Sequence, residues 1–227
     1  MGIQGVIMFK LLDAKTVRPF KSFCSDKLNQ LKNVMYNDYG FECDFSLIGS
    51  GARNLITQNE NEPFDLDYNF YLHSYPEDFD INSFTDLKWL KDTIRTELNN
   101  ILKDTAFRDA QDSTSVLTAR LFFTEDPEKK EFSFDIAILA KNKIGNYCRL
   151  IHDKSFIERF YWNEVPNSEN VYDKAEELKE NGWWEDVREK YLELKNMYLR
   201  RQDFHQHPSY VCFVEAVNLI YQQYENY

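Results

Sequence analysis

Apolar side chains recur at helical spacing between Thr16 and Tyr39, at Phe20, Phe23, Leu28, Leu31, Val34 and Met35. This predicts a first helix, with Pro19 suited to its first turn and Gly40 placed to end it. The period then changes to two. Phe41, Cys43, Phe45 and Leu47 alternate with Glu42, Asp44 and Ser46, which predicts a strand up to Ile48. Gly49 to Glu62 reads as turn and loop, part of it a short helix after the glycines, and Phe64 to Leu72 as a second strand. The clearest helix spans Thr85 to Asp104. Leu87, Leu90, Ile94, Leu98, Ile101 and Leu102 form its single apolar stripe, and Thr85 or Asp86 can cap its start. Thr114–Thr124 and Glu131–Ala140 read as a hairpin, with a further strand from Tyr147 to His152. Beyond Asp153 the texture is helical: a short helix over Ser155–Trp162, then Asp173–Glu180, Trp184–Gln202 and Pro208–Tyr224, with Gly182 separating the first two of these three. The pattern predicts an α/β (α+β) chain, with a small mixed-sheet domain over 1–150 and a C-terminal helical region over 151–227.

The second strand carries the candidate chemistry. Asp65 and Asp67 are two residues apart and so share a strand face. Like charges on one face repel, and the flanking Phe64, Leu66, Tyr68 and Phe70 offer no solvation. A divalent cation resolves that conflict, and all-carboxylate ligation suits Mg²⁺ or Mn²⁺. Just upstream, Gly49-Ser50-Gly51 is a small-residue turn whose N–H groups and hydroxyl can converge on phosphate, with Arg53 a further candidate contact.

Gly49-Ser50 followed by Asp65-Leu66-Asp67 resembles the signature of the nucleotidyltransferase superfamily, which has the DNA polymerase beta-like fold. The resemblance covers roughly residues 41–140 and names no subfamily. It implies a third carboxylate on a later strand of the same sheet, and Asp135 in Phe132–Leu139 supplies it. It further implies a two-ion mechanism in which Asp65 and Asp67 bridge two Mg²⁺ (or Mn²⁺) and Asp135 holds the catalytic ion. The expected reaction moves a nucleoside monophosphate from an NTP, ATP first, to a hydroxyl and releases pyrophosphate. A basic residue after the last catalytic strand is an implied triphosphate contact, and Lys141, Lys143, Arg149 and Lys154 all qualify.

Competing readings attach to several of these residues. Asp135 pairs with Arg120 if the hairpin is symmetric about its loop. Tyr68 and Phe70 point away from the aspartates and read as core. Arg200 and His205 have the spacing of HEPN-type ribonucleases, which gives an RNA-cleaving alternative, while a helix end explains the same residues. Trp183, Trp184, Tyr191 and Tyr198 read as packing against the sheet domain rather than a ligand cage. A nucleotidyltransferase fold serving as a binding or antitoxin module is the non-enzymatic alternative.

Composition narrows the partners. The net charge is −11. Glu60, Glu62, Asp65, Asp67, Glu77, Asp78 and Asp80 fall in a stretch without Lys or Arg. Nucleic-acid backbones are gripped by basic patches, so a small-molecule or protein acceptor is expected over a long nucleic acid. The four scattered cysteines imply reduced thiols rather than a zinc site, and no apolar run approaches the length of a membrane span. A cytoplasmic enzyme is expected.

Overall fold

The computed structural model describes residues 8–59, 62–121, 132–166, 169–201 and 208–226. Their contacts form two compact units. One groups Asp13–Ala52 with Pro63–Val165; the other groups the chain through Leu12 with Arg53–Glu62 and Pro166–Tyr227.

The first unit is a sheet with helices on one face. Helix α1 (Ala14–Tyr39) starts at Asp13, whose carboxylate accepts the Lys15 N–H, and stops at Gly40, whose φ of 72° is the left-handed conformation glycine adopts freely. The helix therefore begins earlier than its periodicity suggested, and Pro19 falls inside it rather than at its first turn. Strand β2 (Glu42–Ile48) follows, then the short helix α2 (Gly49–Arg53). Strand β4 (Phe64–Ser74) lies antiparallel to β2, and β7 (Phe132–Lys141) lies parallel to β4. The other edge of β7 is shared in succession by β6 (Leu117–Leu121) and β8 (Tyr147–Asp153), both antiparallel to it. Strand β5 (Gln111–Asp112) extends β6, and β9 (Arg159–Glu164) extends β8.

Phe64, Leu66, Tyr68 and Phe70 of β4 and Phe132, Phe134, Ile136 and Ile138 of β7 are all buried. They form the apolar face on which α1 and α3 (Phe84–Leu102) pack. Phe20 wedges its ring against Phe64 and Phe132 at centroid distances of 5.1 and 4.7 Å. Leu87, Leu90, Ile94 and Leu98 of α3 are fully covered, as the stripe predicted. The α3 cap is Ser83, which accepts the Asp86 N–H, rather than Thr85 or Asp86.

Two expectations fail here. Ser155–Trp162 is not a helix. Its second half is β9, paired with β8 from Cys148↔Glu164 to Asp153↔Arg159, so the sheet runs on past residue 150. The Phe156, Ile157 and Phe160 spacing imitates a helical stripe, yet only Phe160 is buried and Phe156 is wholly exposed. The β6–β7 register also differs from a symmetric hairpin. Thr118, not Arg120, stands opposite Asp135, and Arg120 opposes Ser133. The hairpin loop lies outside the described residues.

In the second unit, β1 (Phe9–Leu11) pairs antiparallel with β3 (Thr57–Asn59). Asn196 of α5 (Trp184–Arg200) replaces a further strand. Its side chain accepts the Phe9 N–H at 2.7 Å and donates to the Phe9 carbonyl at 3.1 Å. Helices α4 (Glu169–Glu180), α5 and α6 (Ser209–Glu225) enclose a core that includes Leu55, Leu178, Val187, Tyr191, Tyr198, Phe213 and Val217, with Trp183 and Trp184 packed against it. Among the described residues no helix is long and apolar enough to cross a membrane.

Candidate active site

The sheet face away from α1 and α3 carries the acids, because strand alternation sends odd-numbered residues of β4 and β7 there. The parallel register pairs Asp67 with Asp135 and Asp65 with Ser133. Adjacent strands lie about 4.8 Å apart, so Asp135 stands beside Asp67 and the sheet itself unites the three predicted carboxylates on one face. Ser133 donates its hydroxyl to the Asp65 carboxylate.

The electrostatics follow from this crowding. Burial, then the charges of Asp135 and Asp65, push Asp67 up to about 6, and Arg149 opposes the rise. Burial likewise raises Asp135, against a hydrogen bond from Thr118 and the charge of Arg120. The Arg120 competitor is thus a cation acting from two residue pairs along the ladder, and Thr118 makes the direct contact.

Gly49 closes the site from the other side. It follows Ile48, the register partner of Asp67. Its φ is +62°, and a Cβ on it would lie 2.7 Å from Asp67 Oδ2. Only a glycine lets the turn come this close to the carboxylate. Gly51 is closely packed but not in left-handed backbone: a Cβ there would meet the ends of the Leu47 and Leu66 side chains at 2.9 and 3.2 Å. The predicted turn is helical from Gly49 onward, and half-buried Ser50 lies in its first turn.

Sequence reasoning missed one cation at this turn. Lys21 of α1 donates to the Gly51 carbonyl at 2.6 Å, and no spacing in the sequence marks it. Of the four basic candidates from the end of β7 onward, Arg149 alone acts on Asp67. It lies opposite Leu139 on the acid face, and its Nε is buried without a hydrogen-bond partner. Lys141 lies over the Tyr147 ring at 5.1 Å, and Lys154 is bound to Asp112. Arg53 belongs to the second unit, where its guanidinium lies over the rings of Phe213 and Tyr172 at 4.3 and 4.8 Å. Arg200 ends α5, while His205 lies outside the described residues.

Among the described residues no three His, Cys, Asp or Glu side chains form a closed cluster ready for a metal. The donor set nonetheless fits a hard divalent cation. It offers carboxylate oxygens alone, on one face, with proton affinity raised where their charges meet.

No family model matches the chain, and neither does any curated protein sequence. Solved structures do. Vibrio cholerae DncV bound to 3′-deoxy GTP matches with a TM-score of 0.54 and 10% identity, over 96% of this chain and 69% of that one. Escherichia coli MS115-1 CdnC with ATP matches at 0.51 and 14%, over 94% and 62%. Vibrio cholerae DncV cyclic AMP-GMP synthase with the linear intermediate pppA(3′,5′)pG matches at 0.51 and 11%, over 86% and 62%. The chain thus spans at most 69% of the length of these three structures. At such identities the likeness is one of fold: the chain shares the fold of these nucleotide-bound structures, and in this chain that fold places acids on paired parallel strands beside a glycine turn.

Proposed function

We propose that the chain is a metal-dependent nucleotidyltransferase that transfers a nucleoside monophosphate from an NTP to a hydroxyl acceptor. One observation carries this reading: the parallel register that stands Asp67 beside Asp135, with Asp65 on the same face and Gly49 open against Asp67. In the transfer, the acceptor oxygen bonds to the α-phosphorus, the bond to the leaving group breaks, and pyrophosphate departs.

Asp65, Asp67 and Asp135 would hold Mg²⁺ or Mn²⁺. Bound in a pair, such ions polarise the phosphoryl group, favour the deprotonated acceptor and neutralise the leaving oxygen. The chain's own residues do the rest. Gly49, Ser50 and Gly51 receive the phosphates, and Lys21 orients that turn through the Gly51 carbonyl. Ser133 fixes the Asp65 carboxylate and Thr118 fixes Asp135, so two of the three acids are oriented by neighbours on β7 and β6. ATP and GTP are the donors to try first, since DncV is solved with both and CdnC with ATP. The linear intermediate held by DncV makes a nucleotide hydroxyl the first acceptor to test. That choice agrees with the acidic surface, which disfavours a long nucleic acid.

The test is incubation with labelled ATP and GTP and Mn²⁺, following pyrophosphate release and labelled product. Activity lost in Asp67→Ala assigns the reaction to this site. Nucleotide binding without pyrophosphate release, with every acceptor tried, would favour a binding module instead.

A further inference from the structure

A second concavity lies in the sheet unit, on the other face from the acids. It has a volume of about 710 Å³, within the usual size of small-molecule sites. Strand parity separates it from the carboxylates. Ala140 and Cys148, which are register partners, and Trp162, the partner of Leu150, are on the face of Phe134 and Ile138, whereas Asp135 and Arg149 are on the opposite one. An occupant therefore does not meet Asp65, Asp67 or Asp135.

The walls include aromatic and aliphatic side chains, and one ring among them is held in place. The Trp162 indole N–H donates to the Ile81 carbonyl at 2.8 Å, which holds the ring as one wall. Tyr75, 42% exposed, contributes another. The lip is the β7–β8 turn. Asn142 Oδ1 accepts the N–H groups of Ile144 and Asn146, and both asparagine amides donate to the Glu164 carboxylate. This rigid turn presents Ile144, an aliphatic side chain left 79% exposed, next to Lys143. The Lys141 ammonium is turned onto the Tyr147 ring, which leaves Lys143 as the cation of the pocket. In a chain of net charge −11, none of the lining residues is acidic.

We propose that this pocket binds a planar aromatic anion, with its ring against Trp162 and Tyr75, its edge under Ile144 and its negative charge at Lys143. Apolar walls with a cation at the lip select that chemistry over a sugar, a polycation or a neutral hydrocarbon. An aromatic carboxylate or sulfonate and a nucleoside monophosphate share these features, and the probes separate them.

The experiment titrates full-length protein with 1-anilinonaphthalene-8-sulfonate, with AMP and with uncharged N-phenyl-1-naphthylamine, followed by probe or tryptophan fluorescence and by calorimetry. Saturable binding of either anion at one site, at least tenfold tighter than the neutral probe where the two naphthyl compounds are compared, is expected. Lys143→Glu and Ile144→Asp sit on an exposed turn and leave the fold intact. Each should weaken binding at least tenfold, and Asp67→Asn should not change it. AMP alone binding would identify the nucleotide source; the sulfonate alone would identify the aromatic acid. Failure of both anions to bind at millimolar concentration would overturn the proposal, as would binding that ignores both turn substitutions. Neither result depends on whether the acid face transfers nucleotides.

Discussion

Asp67→Asn should stabilise the metal-free protein, and by an amount that depends on pH. In the folded chain burial and two neighbouring carboxylates raise Asp67 from the ordinary 3.8 to about 6. The folded state thus holds the Asp67 proton more tightly than the unfolded state does. Below pH 3.8 the carboxyl is protonated in both states and costs nothing. As the pH rises toward 6 the unfolded chain ionises first, and the folded state falls behind by ~1.4 kcal/mol per pH unit. Above pH 6 the penalty is complete at ~3 kcal/mol, an upper figure because water reaches this half-buried group. An asparagine keeps the shape and removes the charge. Urea denaturation with EDTA at pH 4, 5.5 and 7.5 reads the difference. The variant should gain little at pH 4 and ~2–3 kcal/mol at pH 7.5. A gain that does not grow with pH, or a loss at pH 7.5, would refute the reasoning. Millimolar Mn²⁺ should then narrow the gap by raising wild-type stability, since a ligand that binds only the folded state stabilises it.

Three other substitutions test other parts of the structure. Gly49→Ala forces a side chain into left-handed backbone at a cost of ~1–2 kcal/mol, and its Cβ meets the Asp67 carboxylate. In an Asp67→Ala background that contact vanishes, so in a denaturation double-mutant cycle Gly49→Ala should cost less there than in the wild-type chain. Lys91→Met should destabilise by ~1–3 kcal/mol, because the Ser113 carbonyl loses its donor while His152 and Lys154 still face Asp112. Lys91 is buried, with its ammonium 2.7 Å from both Asp112 Oδ1 and the Ser113 carbonyl; a loss under 1 kcal/mol by urea titration would contradict the pairing. Ser83→Ala removes the α3 cap and should cost ~1 kcal/mol, while Ser83→Thr should restore most of it in the same measurement.

How much of this was legible in the sequence depends on the range of the interaction concerned. Local signals read well. Gly40 ends α1, the α3 stripe is the buried stripe, and alternation along β4 separates Asp65 and Asp67 from Phe64, Leu66, Tyr68 and Phe70. Asp135 is legible through the family resemblance, which calls for a third carboxylate on a later strand, and not through alternation, since β7 is buried on both faces along most of its length. What failed needed pairing information. The β6–β7 offset is not set by symmetry about the connecting loop, so that symmetry misplaced Arg120 by two residue pairs. Strand β9 was hidden because Phe156 and Ile157 precede it and mimic a helical stripe, although neither is buried. The two short strands Phe9–Leu11 and Thr57–Asn59 are too short to show a period at all. Arg149 could not be singled out among four basic residues until β8 was placed opposite Leu139, which sets the face its side chain takes.

The register between β4 and β7 is therefore the quantity on which the acid site rests, and the apolar face determines it. A slip of one residue would turn Asp135 into the aromatic core and drive Phe134 into water, which alternation forbids. A slip of two would preserve the faces and is excluded only by shape. It would set Asp135 beside Asp65 or Asn69 instead of Asp67. Opposing it are rings that fit in one alignment: Phe64 stacked on Phe132 at 5.7 Å, Tyr68 edge-on to Phe134 at 6.4 Å, and Phe20 of α1 wedged against both Phe64 and Phe132. Such contacts contribute ~0.5–1.5 kcal/mol each beyond their buried area, together comparable to the ~3 kcal/mol that ionised Asp67 costs at neutral pH. The aromatic rings of β4 and β7 are thus tied to the acid face, because the rings on one side of the sheet hold together carboxylates that repel each other on the other.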